Sequence, residues 1–144
     1  MTNPLRTETS HDLGLLLARL PIGVFFLLAG IGKVRSGVTD FVHANANRLP
    51  DFLPRPIGET YLYAVPFLEI LVGTLAILGL LGRTTGLVMA AMLISFMIGV
   101  TGIKGSSGPF HYNLVFLGLS LLLFLTGPGR ISADRFWRRD AGPR

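Results

Sequence analysis

Cysteine is absent from the chain. The chain's own atoms therefore offer no thiol redox pair, no Cys-ligated zinc or iron–sulfur cluster, and no attachment point for a c-type haem. Charge is scarce as well: 15% of the 144 residues are Asp, Glu, Lys or Arg, against about 25% in an average soluble protein. Between residues 61 and 129 the charged residues are Glu69, Arg83 and Lys104 alone. Histidine is confined to His11, His43 and His111. His11 lies beyond the inner end of the first helix and His43 and His111 belong to the outer side, whereas two axial ligands of a b-type haem would sit within the bundle on facing helices. His43 and His111 could approach each other, but without a nearby carboxylate interfacial histidines are the plainer reading. The one Gly-Lys run, LLAGIGKVRSG at 27–37, fails as a phosphate loop. Leu27 stands where the pattern needs glycine, and Val34 where it needs Ser or Thr. Nothing resembles a nucleophilic triad, so no catalytic residue and no metal-ligand set is assigned.

What the chain has is apolar length. Half of its residues are hydrophobic (50%), and they are gathered into runs at about 13–33, 61–81, 84–103 and 110–127. A hydrocarbon layer of about 30 Å needs about 20 apolar residues per helix, so each run reads as a membrane span. The first run is longer than a cleavable signal core and carries Arg19 and Lys33, so it is expected to be a retained helix. The expected fold is all-α: an integral membrane, antiparallel four-helix bundle in one domain, 1–144, with a partly helical outer loop between helices 1 and 2.

The net charge of +5 sits at the ends of the apolar runs, which suits anionic lipid headgroups and argues against nucleic acid. Four spans put both termini on one side. That side carries Arg6, Arg83, Arg130, Arg135, Arg138, Arg139 and Arg144, and the other Lys33, Arg35, Arg48, Arg55 and Lys104. The bias favours cytoplasmic termini. In the first loop, DFVHANANR can form two helical turns from Asp40, and the prolines of LPDFLPRP stop them. The loop is apolar enough to lie on the outer surface as a lid. Tyr61, Tyr63, Phe110 and Tyr112 would form an outer aromatic belt, and Phe136 and Trp137 an inner one. TGPGR must end the fourth helix, after which Ser132 could cap a short basic amphipathic helix in the tail, 130–144. The first and third spans end in similar stretches, AGIGKVRSG and TGIKGSSG, a weak echo of duplicated hairpins.

An ionisable group costs several kcal/mol in hydrocarbon, so the few present should face inward and find partners. Steps of three and four give Arg19–Gly23–Phe26–Gly30–Lys33, Pro66–Glu69–Gly73–Ala76–Leu80, Met92–Ser95–Gly99–Gly102 and Asn113–Phe116–Ser120–Leu123–Gly127. Each span thus carries its polar and small residues on one face, the pattern of a close-packed polar seam. Glu69 lies about 12 Å below the outer end and Arg19 about 9 Å from the inner end, so their depths do not match. Lys33 could reach Glu69 instead. The pair could be a register-fixing ion pair, Glu69 could titrate or hold a ligand, or it could be neutral with no special role. Glu69, Lys33, Arg19, His111 and Asn113 form the candidate ligand-binding seam, and its outer mouth suits a quinone or another amphipathic molecule.

These residues resemble the DoxX family of small bacterial membrane proteins. The resemblance rests on RLPIGVFFLLAGIGKV, PFLEILVGTLAILGLLGR and TGPGRISAD and covers most of the chain. It implies a four-helix membrane protein, with some relatives linked to quinone-reducing oxidoreductase assemblies and others to scaffolding or assembly. On this reading the chain is an accessory subunit or anchor of a respiratory oxidoreductase rather than a stand-alone enzyme. Its partners would be lipid and redox-protein subunits, with self-association into a homo-oligomer left open. The alternatives are a non-catalytic scaffold or assembly factor whose seam serves only packing and, last, a small-solute or proton pathway.

Overall fold

The computed structural model describes residues 4–99, 112–129 and 132–133, with side chains from residue 12 in the first segment and from residue 113 in the second. The described residues form five α-helices and no strand: α1 Pro4–Ser36, α2 Val38–Asn45, α3 Arg55–Leu78, α4 Gly82–Gly99 and α5 Tyr112–Thr126, with a 3-10 turn at Ala46–Arg48. Asp12–Ser36 of α1, all of α3 and all of α4 are long and apolar enough to cross a membrane, and Asn113–Thr126 is a shorter apolar helix. Only 33–39% of the most apolar stretch of each long span is buried. Leu17, Leu28, Phe67, Leu71 and Leu125 instead point outward. In water such a surface would collapse; around these helices it is the lipid-facing side.

Two boundaries differ from those read in the sequence. The first helix begins at Pro4, not near residue 13, because Thr7 to Asp12 are polar but contain no helix breaker. Apolarity locates the edge of the lipid, not the start of the helix. The second span begins at Arg55, not Tyr61. The Pro54 carbonyl accepts from Ile57 N at 3.0 Å and Gly58 N at 3.1 Å, and Pro56 sits in the first turn, where its missing N–H leaves nothing unsatisfied. Residues 100–111, which include Gly102, Lys104, Phe110 and His111, lie outside the described residues, as do Arg130 and the tail with Phe136 and Trp137.

The helices meet antiparallel, and glycine sets the closest approaches. A Cβ on Gly73 would fall 2.5 Å from Leu27 N and 2.7 Å from Gly23 O, and one on Gly30 would fall 2.6 Å from Pro66 O. On the other pair, a Cβ on Gly86 would lie 2.7 Å from Phe124 N and 2.8 Å from Ser120 O. The backbones of α1 and α3, and of α4 and α5, therefore touch directly. Between the pairs lies a cluster of Ile22, Phe26, Val72, Ala76, Met89, Met92 and Leu93. Phe25 stacks on Phe116 with centroids 4.5 Å apart. The faces that carry Arg19–Gly30, Pro66–Ala76 and Asn113–Gly127 at three- and four-residue steps are the buried faces, save the partly covered Phe116. The α3–α4 turn closes α3 by the double hydrogen bond of a glycine-terminated helix. Gly79 N donates to Ala76 O at 3.2 Å and Leu80 N to Leu75 O at 2.9 Å, with Gly79 at φ +68°.

The first loop does fold back on the helices, with α2 and the 3-10 turn packed on α3 and α2 also on α1. Val42 is buried, and Leu49 fills the space that a side chain at Gly58 would occupy. The expected outer aromatic belt is corrected at one position. Tyr61 turns inward and its hydroxyl bonds Ser95 Oγ on α4, while Tyr63, two residues on, faces out. Only the backbone of Tyr112 is described.

Candidate functional site between helices 1 and 3

Gly30 packs α1 against Pro66 and Ile70 of α3, level with Glu69, and Lys33 reaches back to Glu69 from the next turn of α1. Lys33 Nζ lies 2.7 Å from each Glu69 carboxylate oxygen. Glu69 is 2% exposed, so its carboxylate sits in the interior of the helix pair. The Lys33 side chain keeps 25% of its surface. Its ammonium also stands 5.4 Å from the centre of the Phe41 ring, a cation–π arrangement that covers the pair from the loop side. Position favours the lysine further, since it lies in the last turn of α1, where the helix dipole attracts a cation.

Phe41 has a second neighbour. With Asn45, Arg48, Leu49, Phe52, Tyr61, Val65, Ser95, Phe96 and Gly99 it lines a cavity of about 350 Å³ between the loop and the loop-side halves of α3 and α4. The cavity wall is almost wholly apolar, and among its lining residues Tyr61 and Ser95 bond to each other through their hydroxyls. The charge pair and the cavity thus share one aromatic wall.

Of the seam residues read from the sequence, the structure joins Lys33 and Glu69. Arg19 is separated from Lys33 by about 21 Å of helix and belongs to the opposite end. It is 4% exposed, and its Nη1 donates to the carbonyl of Pro128, beyond α5. Gly79, at the end of α3, packs on the same guanidinium. Gly127, at φ +78°, ends α5 by donating to Leu123 O at 2.9 Å. One cation therefore meets the carbonyl ends of two helices, where a positive charge is stabilising. Asn113 is buried in the first turn of α5. The Ser132 hydroxyl donates to Gly129 O at 2.9 Å; the helix expected after it lies outside the described residues. The Tyr61–Ser95 bond, the Phe41 contact and the Arg19–Pro128 bond were not read from the sequence. Tyr61, Val65 and Glu69 fall four residues apart on one helix face, a signal that could have placed the tyrosine inside.

Apolar helices of spanning length, wrapped in outward leucines and holding a charge pair within, define a multi-pass α-helical protein of the bacterial inner membrane. Residues 12–111 match the family described as methylamine utilisation protein MauE, and the protein belongs to that family. It is similar to "Inner membrane protein YqjF" of Escherichia coli (strain K12), with 34% identity over 87% of this chain and 92% of the relative. It is also similar to "Putative oxidoreductase CatD" of Bacillus subtilis (strain 168), with 27% identity over 88% of this chain and 89% of the relative. No solved structure matches the chain.

The family match corrects the resemblance to DoxX proteins: the family that matches is MauE. The residues that carried the resemblance have a physical explanation that names no family. Gly23, Gly30 and Gly73 are small because backbones cross there, and Gly127 has positive φ because a helix ends there. Any bundle with these crossings would require them.

Proposed function

We propose that this protein is an accessory membrane subunit or anchor of a quinone-linked redox assembly, in which α1, α3, α4 and α5 form a four-span antiparallel bundle with cytoplasmic termini. The observation that carries this reading is the buried Lys33–Glu69 pair beside an apolar cavity at one end of the helices. An ionisable pair retained at its cost within lipid marks a working site more often than a packing device. An apolar chamber with few polar groups suits a lipophilic small molecule. The relative named as an oxidoreductase and a family named for the utilisation of an amine are both in keeping with a redox role. The chain lacks cysteine, so any thiol pair or Cys-ligated iron–sulfur cluster would belong to partner subunits.

The test is purification of the tagged, full-length protein from its native membrane in mild detergent. A redox-active protein is expected to co-purify in stoichiometric amount and to be lost from a Glu69→Gln variant that remains folded. Recovery of the chain free of any redox protein, from gently solubilised membranes at native expression, would end this reading.

A second reading, a scaffold or assembly factor, is favoured by a different observation. Both Glu69 oxygens are satisfied by Lys33, and the glycine crossings account for the rest of the seam as packing. It predicts that folded Glu69→Gln protein keeps its partners.

A further inference from the structure

Proton accounting at the polar end of the loop cavity narrows what can bind there. Ser95 lies in the last turns of α4 and carries one hydrogen on its hydroxyl. That hydrogen is committed, because Ser95 Oγ donates to the Met92 carbonyl at 2.7 Å. The bond between Tyr61 and Ser95 therefore runs one way: the Tyr61 hydroxyl donates and Ser95 Oγ accepts. Both hydroxyl hydrogens are spent inside the protein. What the pair offers to the cavity is lone pairs alone, on the phenolic oxygen and on Ser95 Oγ.

An acceptor-only site discriminates between two redox states of one ring. A quinone has carbonyl oxygens and no hydrogen to give; its reduced, dihydroxy form has two. The remaining polar liners are Asn45, whose Nδ2 donates to Phe41 O at 2.8 Å and whose Oδ1 accepts from Arg48 Nη1 at 3.5 Å, and the exposed Arg48, a donor. Donors do not discriminate, since oxygens of both forms accept hydrogen bonds. Phe41, Phe52 and Phe96 supply aromatic walls, and about 350 Å³ lies at the small end of ligand pockets, about 300–1,000 Å³, which is room for one or two rings and not a whole lipid.

We propose that the cavity between the first loop and the loop-side halves of α3 and α4 binds the ring of a membrane quinol, selecting the reduced form through the lone pairs of Tyr61 and Ser95. This rests on the quinone-linked reading above and locates its ligand away from the charge pair itself, across Phe41.

The experiment measures equilibrium binding of duroquinol and of duroquinone to the full-length protein in phosphatidylcholine nanodiscs, under argon. Duroquinol is expected to bind about three- to tenfold more tightly, the effect of one net hydrogen bond. Two variants should collapse that preference from opposite sides. Tyr61→Phe combined with Ser95→Ala removes both acceptors, so the reduced form weakens to the level of the oxidised one. Ser95→Ala frees the Tyr61 hydrogen to donate, so the oxidised form strengthens toward the reduced one. Gly99→Leu serves as the occluded control. A Cβ there meets nothing closer than 3.9 Å, so the helix tolerates it while the leucine fills the chamber and weakens both ligands. Equal affinities in the unaltered protein, a preference for duroquinone, absence of binding, or a preference that survives the double Tyr61→Phe, Ser95→Ala variant each overturns the proposal. Binding with this pattern in a protein that co-purifies with no redox partner would sustain the site and remove the accessory-subunit reading. A redox partner without the pattern would do the reverse.

Discussion

At residue 69 a carboxylate lies inside a helix pair with Lys33 Nζ 2.7 Å from each oxygen, and the two partners have unequal alternatives. Glu69 is buried at mid-helix with nowhere to go. Lys33 is a quarter exposed in the last turn of α1, and a lysine there can swing its ammonium to the headgroups along its flexible stem. Removing one partner should therefore cost differently from removing the other. Lys33→Met strands the acid and is expected to cost about 3–5 kcal/mol, as for a broken buried pair. Glu69→Gln releases the lysine outward and leaves a neutral amide, at about 1–2 kcal/mol. The double replacement Lys33→Met with Glu69→Met should lie within about 1 kcal/mol of the unaltered protein. Unfolding in bicelles with a graded denaturant reads all three, and equal losses from the single variants would show that Lys33 cannot leave.

The helices meet through glycines that are not equivalent, although the sequence prints them alike. Gly73 and Gly30 face backbone atoms of the opposite helix at distances no real Cβ tolerates, whereas Gly32 and Gly118 have nothing within 4 Å. Gly73→Ala must push α1 off α3 and is expected to destabilise by about 1–3 kcal/mol. Gly118→Ala should be neutral or stabilising by up to about 1 kcal/mol, since only the glycine's backbone freedom is lost. The same bicelle unfolding measurement ranks them, and a Gly73→Ala protein as stable as Gly118→Ala would deny the backbone contact. Much of this face was legible: three- and four-residue steps carry Gly23, Gly30, Gly73 and Ser120 inward whatever the partner. Gly86 escaped because it lies two turns before Met92, where the stripe of the third span was begun. The Arg19 partner escaped because Pro128 is 109 residues away and is chosen by topology, not spacing. Tyr61 was misread because a tyrosine near a span's end satisfies both a headgroup belt and an inward bond, and only the position of α4 decides. The cavity depends on where the loop comes to rest, which no periodicity encodes.

Across the whole molecule the described helices sort into two units, α1 with α3 and α4 with α5, each joined where glycine lets backbones touch. Among the described residues, hydrogen bonds at opposite ends of the helices tie unit to unit: Tyr61 to Ser95 at one end and Arg19 to the Pro128 carbonyl at the other. The apolar cluster around Met89 and Ile22 lies between. Lipid is as apolar as that cluster, so helix association in the bilayer depends on packing and polar contacts and not on the exclusion of water. The chain should then tolerate a cut between Leu80 and Leu81. That cut leaves the Leu80 N to Leu75 O bond in one half and the Thr85 N to Leu81 O bond in the other. Co-expressed halves are expected to assemble and to purify together through a tag on either one. Arg19→Met separates the two views of the Pro128 contact. In the intact chain the turn holds the units at an effective concentration near millimolar, so loss of one tie is expected to cost some stability without separating them. In the split protein no such tether exists, and the same substitution should lower recovery of the partner half by tenfold or more. Halves that never associate, or a split complex indifferent to Arg19→Met, would mean that the units are held by something other than these contacts.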